Sequence, residues 1–397
     1  LKTDDDVSDL IFGDTTSTLT INDMKNAPYD DPRWEELVNK VTVAEFLDFS
    51  ANAFHNIQGI ASVNMPQKAA DDGPGGSDSH YLNEGGYQGV PYADAADYTS
   101  GTRVAPSPVN LAYAWNKELA FENGEIILGE STLVLDLPIM IGPGMNIHRH
   151  AYNARGVEYY SEDPILSGYV GSAVVQGAQS KGTLVNIKHM GFNDQEHNRA
   201  GISAYMTEQK FRETDLRGFE GALSDAFGMG VMIAFNRIGA TNASHHVGMI
   251  QKIVRGEWGF KGLISTDMMN NYLYFNAESM VMAGITQVAD FAADNSHINL
   301  GEGGVDAVWP HISLETVSKD SNLVEQAREN LKYQLYIFAN SAILNISTQR
   351  VNTWWDTALT VTTYASSILA VLFFLAWVVL TLLPEKKPVV VRVENKR

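Results

Sequence analysis

Short apolar runs that stop abruptly on charged or hydrogen-bonding residues recur along this chain. Ile139 to Ile141 lead into Gly142-Pro-Gly-Met-Asn-Ile-His-Arg149, and Thr183 to Ile187 lead into Lys188-His189. Val231 to Ala234 lead into Phe235-Asn-Arg237, and Lys261-Gly-Leu-Ile-Ser-Thr ends on Asp267. Bounded by glycines and polar residues, such runs predict buried parallel strands. Between them, helices are predicted over 41–60, 205–226, 246–258 and 325–344, and helical and strand-like runs alternate over 108–187. Residues 71–101 are rich in Gly, Ser, Asp and Tyr and predict a loop long enough to be functional. The alternation predicts an α/β fold, a closed (β/α)8 barrel of the TIM type over residues 41–345. Residues 1–40 read as an acidic linker and lead-in to the first helix. A barrel of this kind builds its active site at the C-terminal ends of its strands. Four such endings supplying Arg, Lys, His and Asp therefore nominate a site.

The last part of the chain follows a different pattern. Residues 357–383 carry no charge, and Ile368 to Leu383 are almost entirely apolar. About 20 residues span a bilayer core, and no helix on the outside of a soluble barrel is apolar on every side. A single transmembrane helix over 357–383 is predicted, with Trp354 and Trp355 in a juxtamembrane segment 346–356 as an interfacial belt. The tail 384–397 has five basic residues against two acidic ones, whereas the whole chain has a net charge of −19. The positive-inside rule puts the tail in the cytoplasm and the acidic barrel outside a cell membrane crossed once. A buried C-terminal helix and a cleaved sorting or lipid-anchor signal are the alternatives. The acidic balance excludes nucleic acid as a partner, because nothing would neutralise phosphates. The absence of Cys excludes disulfides, thiolate metal sites and a Cys nucleophile. The chain opens at Leu1 with no basic n-region or apolar h-region, so no signal peptide is visible, and a fragment is expected.

Several motifs together are specific. Gly142 to Arg149, Arg155-Gly-Val-Glu-Tyr-Tyr-Ser-Glu-Asp-Pro164, Lys188-His-Met-Gly-Phe-Asn-Asp-Gln-Glu196 and Glu257-Trp-Gly-Phe-Lys-Gly-Leu-Ile-Ser-Thr-Asp267 resemble the barrel domain of glycoside hydrolase family 3. Asp72-Gly-Pro-Gly75 resembles that family's early Asp-Gly-Pro loop, and Phe211-Arg-Glu213 with Phe219-Glu220 its Leu-Arg-Glu…Pro-Phe-Glu helix. The resemblance runs from about Ile60 to Asn345, with six motifs in the family's order.

The resemblance implies a retaining exo-acting β-glycosidase, β-glucosidase-like, that cleaves terminal β-linked sugars from an oligosaccharide or β-glycoside. It implies Asp267 as the nucleophile and Asp72, Arg149, Arg155, Lys188, His189 and Arg212 as substrate-binding residues, with no metal and no organic cofactor. The chemistry suits these types: a carboxylate attacks the anomeric carbon, and cations keep it ionised and hold sugar hydroxyls. Two other readings stay open. His148, His150, Lys188, His189, His245 and Asp267 are of the types that metal-dependent barrel hydrolases use, and a degenerate barrel could bind a sugar without cleaving it. The chain also departs from the family pattern. Met268 stands where many members have Trp, and Phe235-Asn236 where Tyr-Asn is usual. Many members place the general acid/base Glu on a second α/β sandwich domain, and the span from Leu344 to Thr357 has no room for one. Some members carry the sandwich before the barrel, and residues 1–40 would then be the connection to it. Within this chain, Glu84, Glu158, Glu196 and Glu302 are the acid/base candidates.

Overall fold

The computed structural model describes residues 12–46, 56–57, 59–72, 106–130, 137–153, 155–193, 195–199, 202–267, 276–289, 320–344 and 354–383. The chain divides into two compact units, 1–346 and 347–397. In the first unit, strands β1 (Asn56–Ile57), β2 (Lys68–Asp72), β3 (Ile139–Gly144), β4 (Leu184–Met190), β6 (Gly230–Ile233) and β9 (Leu263–Thr266) form one sheet in the order β1-β2-β3-β4-β6-β9. From β2 onward every pairing is parallel, and only β1 runs antiparallel, against β2. A small second sheet joins β5 (Ser203–Ala204), β7 (Arg237–Ile238) and β8 (Thr241–Asn242). The four strand runs read from the sequence are thus parallel neighbours. A closed eight-stranded barrel is not seen among the described residues, although Ser265 also forms a parallel bridge to Gln287 beyond β9.

Strand alternation sorts the core into two faces. Met140, Val185, Ile187, Val231, Ile233 and Ile264 belong to one cluster, which holds the helices that follow the strands. Ile139, Ile141, Leu184, Met232 and Leu263 belong to the other, with Ile57 and Ala70. Inward residues of β1, β2, β3, β4, β6 and β9 line one small enclosed space together with Gln287 and Ala289, so the sheet is strongly curled. Because the long strands are parallel, their C-terminal ends lie on one side, and that geometry decides where the chemistry can be.

The helices are α1 (Arg33–Lys40), α2 (Pro108–Tyr113), α3 (Lys117–Asn123), α4 (Pro164–Ser180), α5 over 208–225, α6 (Gly248–Glu257), α7 (Ala277–Ala283), α8 (Ser321–Ala339) and, in the second unit, α9 (Trp354–Leu382). Helix α4 starts where its sequence dictates: Pro164 occupies the first turn, and the Asp163 carboxylate accepts from the backbone N–H of Ile165 at 2.7 Å and Leu166 at 3.3 Å. Helix α5 is α-helical at Glu208–Lys210 and Arg217–Glu220, with π turns at Phe211–Asp215 and Gly221–Asp225. Thr207 caps it, so it starts later than the predicted 205. Capped by Asp320, α8 starts at Ser321, four residues ahead of the predicted start, and ends at Ala339.

Two expectations are corrected here. The helix predicted over 41–60 is interrupted: 43–46 are helical, but Asn56 and Ile57 are strand, paired with Ala69 and Lys68. Val41, Phe46, Ile57 and Ile60 are buried in the second cluster, a demand that outweighs helical periodicity. The acidic segment 1–40 is no linker from residue 12 onward, because Ile21, Met24, Trp34 and Leu37 are buried with α8 residues in the second cluster. Its acidic residues cover the outside of a packed layer. In the second unit, residues 357–382 are long and apolar enough to cross a membrane. The tail 384–397, most of the predicted loop 71–101, Glu84, Met268 and Glu302 lie outside the described residues.

Candidate active site

The ends of β2, β4 and β9 bring Asp72, Lys188 with His189, and Asp267 to the same side of the sheet. Asp72 closes β2, and its Oδ1 accepts from the Lys188 Nζ near the end of β4 at 2.6 Å. The Lys188 side chain is 3% exposed and Asp72 27%, so this is a charge pair mostly removed from water. Next to Lys188, across a cis peptide, His189 lies buried with its Nε2 3.6 Å from Asp267 Oδ2. Asn146, after β3, brackets the His189 backbone: its Nδ2 donates to the His189 carbonyl at 2.8 Å, and its Oδ1 accepts from the His189 N–H at 2.7 Å. Asp267 follows β9 directly, and its N–H donates to the Ile233 carbonyl of β6 at 3.0 Å. The carboxylate is therefore held by backbone pairing at the mouth of the sheet and is 7% exposed.

Arg155 reaches the same group from the loop after β3. Its Nε donates to Glu158 Oε2 at 2.7 Å, and Glu196 Oε1 lies 3.7 Å from its guanidinium. Burial works against its charge, but Tyr159, Glu158, Asp267 and Glu196 outweigh burial and raise its pKa. His189 moves the other way. Burial, then the positive charges of Arg155, Lys188 and Arg199, hold it well below its ordinary value of 6.5, so its imidazole is neutral at physiological pH.

The remaining sequence-nominated residues go elsewhere. Arg149 sits 3.5 Å from Asp215 of α5 and over the Phe192 ring. Burial raises the Asp215 carboxyl. Arg212 is not brought to the group around Asp267. It lies on the outer surface, held bidentately by Glu257 of α6 at 2.6 and 2.9 Å and by Glu208 at 2.8 Å. The winding of α5 turns Arg212 toward α6, and a motif match carries no helix phase. The metal-type set is dispersed as well. His148 Nε2 donates to the Tyr159 carbonyl, His150 Nδ1 accepts from the Tyr152 N–H, and His245 Nε2 accepts from the Asn276 N–H. Among the described residues no three His, Asp or Glu gather as a metal site.

Four participants were not nominated by the sequence. Tyr159 contacts His189, and Asn193 contacts Tyr159 and Glu196. Asn146 brackets His189, and Arg199 pairs with Glu196 at 3.2 Å while its guanidinium stacks 4.5 Å over the Phe235 ring. Asn146, Tyr159 and Asn193 lie inside the motifs quoted above, which is the signal that could have found them; Arg199 carries none. The Arg199 contact also gives Phe235 a role in place of the usual Tyr, as a face for a cation.

Two consequences are measurable. Asp72→Asn strands the buried Lys188 ammonium, so it should lower stability by about 2–3 kcal/mol, less than a fully buried pair because Asp72 is partly exposed. Urea unfolding of the two single variants and the Asp72→Asn/Lys188→Met pair should show the double variant recovering part of the loss. The depressed His189 gives a pH dependence of fixed sign. The unfolded chain binds this proton below its ordinary value of 6.5 while the folded chain does not, so stability is complete above that pH and falls as pH drops below it. His189→Gln should flatten the slope of Tm between about pH 7 and pH 5.

Comparison with known proteins identifies the family. The family model described as Glycosyl hydrolase family 3 N terminal domain matches residues 79–289. Probable beta-glucosidase K of Emericella nidulans is 32% identical over 238 residues, covering 59% of this chain and 26% of that protein. The exo-alpha-(1->6)-L-arabinopyranosidase of Bifidobacterium breve is 31% identical over 221 residues, covering 56% of this chain and 28% of its own. The structure of beta-glucosidase 3B from Thermotoga neapolitana with alpha-D-glucose superposes with a TM-score of 0.67 at 26% identity, over 80% of this chain and 44% of that one. The chain thus spans about a quarter of these curated relatives and under half of that solved structure.

Proposed function

The chain belongs to glycosyl hydrolase family 3, whose N-terminal domain is a TIM-barrel-like α/β fold, and on that premise we propose that it is the nucleophile-bearing half of a retaining exo-β-glycosidase of the β-glucosidase kind. The observation that carries the reading is the meeting of Asp267, His189 and the Asp72–Lys188 pair at the C-terminal ends of parallel strands of one sheet, with Arg155 reaching them from the loop after β3. Asp267 attacks the anomeric carbon as the glycosidic oxygen departs with a proton, and water then displaces the carboxylate from the glycosyl-enzyme. Arg155 favours the ionised carboxylate, and Asp72, Lys188 and His189 present an acceptor and donors to the sugar hydroxyls.

The proton donor is proposed to come from a domain outside the described residues. Glu158 and Glu196 lie nearby, but their oxygens are taken up by Arg155 and Arg199 rather than directed at a leaving group. The sugar is open, because the relatives include a β-glucosidase and an arabinopyranosidase by name. The apolar helix of the second unit is proposed to anchor the enzyme in a cell membrane, barrel outside and tail 384–397 inside. Protease added to intact cells should then remove the barrel and spare the tail; a chain that fractionates without detergent contradicts the anchor.

A slowly turning-over 2-fluoroglycoside with an activated leaving group tests the chemistry. It should label Asp267 covalently, as read by peptide mass analysis. Labelling at another carboxylate overturns the assignment, and sugar binding without labelling or turnover favours a binding barrel.

A further inference from the structure

We infer that Tyr159 is a positioning residue that fixes the proton of His189 on Nε2, the nitrogen facing Asp267; the inference deepens the glycosidase reading and its catalytic consequence rests on it. Tyr159, His189 and Asn193 are each at most 2% exposed, so water does not compete for their hydrogen bonds. Asn193 Nδ2 lies 2.6 Å from Tyr159 Oη and 3.3 Å from Glu196 Oε1. An ionised carboxylate only accepts, so the amide must turn its nitrogen toward Glu196, and that same nitrogen donates to the phenol oxygen. With its oxygen serving as acceptor there, Tyr159 turns its own proton to its other partner, His189 Nδ1, 3.3 Å away. A ring nitrogen that accepts carries no proton, so the one proton of neutral His189 sits on Nε2, 3.6 Å from Asp267 Oδ2. The opposite tautomer would aim a lone pair at a carboxylate.

The surroundings hold Tyr159 in register for this task. Its carbonyl accepts from His148 Nε2 at 2.9 Å, and its backbone bridges to Gly144. A Cβ on Gly144 would lie 2.5 Å from the Tyr159 ring, so the second glycine of Gly142-Pro-Gly144 makes room for the tyrosine.

Protein labelled with ¹⁵N-histidine tests the inference through long-range proton–nitrogen correlations, with His189→Gln assigning the resonance. The wild-type spectrum should show Nε2 protonated and Nδ1 bare. Tyr159→Phe removes the hydroxyl. Asn193→Asp keeps the ring but offers an acceptor that draws the phenol proton away. Both should lose the Nε2 preference, and kcat/KM on an activated aryl glycoside should fall roughly 10²-fold. If Tyr159→Phe fails to fold, Asn193→Asp decides alone, and Asn193→Gln, which keeps the donor, should retain the wild-type tautomer. A wild-type proton on Nδ1, or variants that leave the tautomer unchanged, overturns the inference. A tautomer that responds as expected in a chain that cleaves no glycoside overturns the glycosidase reading instead.

Discussion

Asp267→Ala should abolish turnover, lowering kcat on an activated aryl β-glycoside by on the order of 10⁴- to 10⁶-fold, the range seen when a nucleophile is removed. The substitution removes the one carboxylate held at the end of β9 with His189 Nε2 3.6 Å away. No other described carboxylate is placed to replace it, since Asp72 is engaged by Lys188 and Glu158 by Arg155. Added azide should restore part of the activity by attacking the anomeric carbon from the emptied side while the aryl oxide leaves. A single inversion makes the product the α-glycosyl azide. Stereochemistry thus separates a lost nucleophile from general damage. A variant that keeps even a tenth of wild-type kcat without azide would sink the assignment.

Leaving-group dependence is the second large effect. Residues 1–397 alone should cleave activated aryl glycosides far faster than alkyl glycosides or disaccharides, by about 10² to 10⁴-fold, because general acid catalysis supplies that factor to poor leaving groups and little to a phenolate. On the proposed reading, with the acid/base on another domain, the glycosyl-enzyme on Asp267 should accumulate as a burst. Azide should speed its breakdown and yield the β-glycosyl azide, the product of two inversions, opposite in sense to that from Asp267→Ala. Adding a domain that carries the proposed acid/base should narrow the gap between substrates. Disaccharide hydrolysis by residues 1–397 at ordinary enzyme rates would place the acid inside this chain, and Glu84, Glu158, Glu196 and Glu302 would be the residues to replace.

The sequence by itself determined what local rules govern. Glycine-bounded apolar runs marked β3, β4, β6 and β9, because a buried parallel strand needs little beyond apolar side chains and a place to stop. Asp163 and Pro164 set the start of α4, because a cap and a proline act within one turn. The strand endings nominated Lys188, His189 and Asp267, because parallel strands bring their C-terminal ends to one side. Uniform apolarity marked 357–383, and 357–382 form a helix long and apolar enough to cross a membrane, because that test is one of length and composition.

Tertiary structure decided which nominated groups meet. Lys188 finds Asp72 from 116 positions away, and Tyr159 finds His189 from 30. Such pairings depend on strand order and register, which local patterns do not encode. The same motifs named Arg155 and Arg212, yet the loop after β3 turns one toward Asp267 while the winding of α5 turns the other to Glu257. The segment 41–60 suited a helix until pairing with β2 drew residues 56 and 57 into the sheet. Acidic surface residues hid the packing of Trp34 and Leu37 against α8, since a linker and the covered edge of a core share a composition and differ only in what lies beneath.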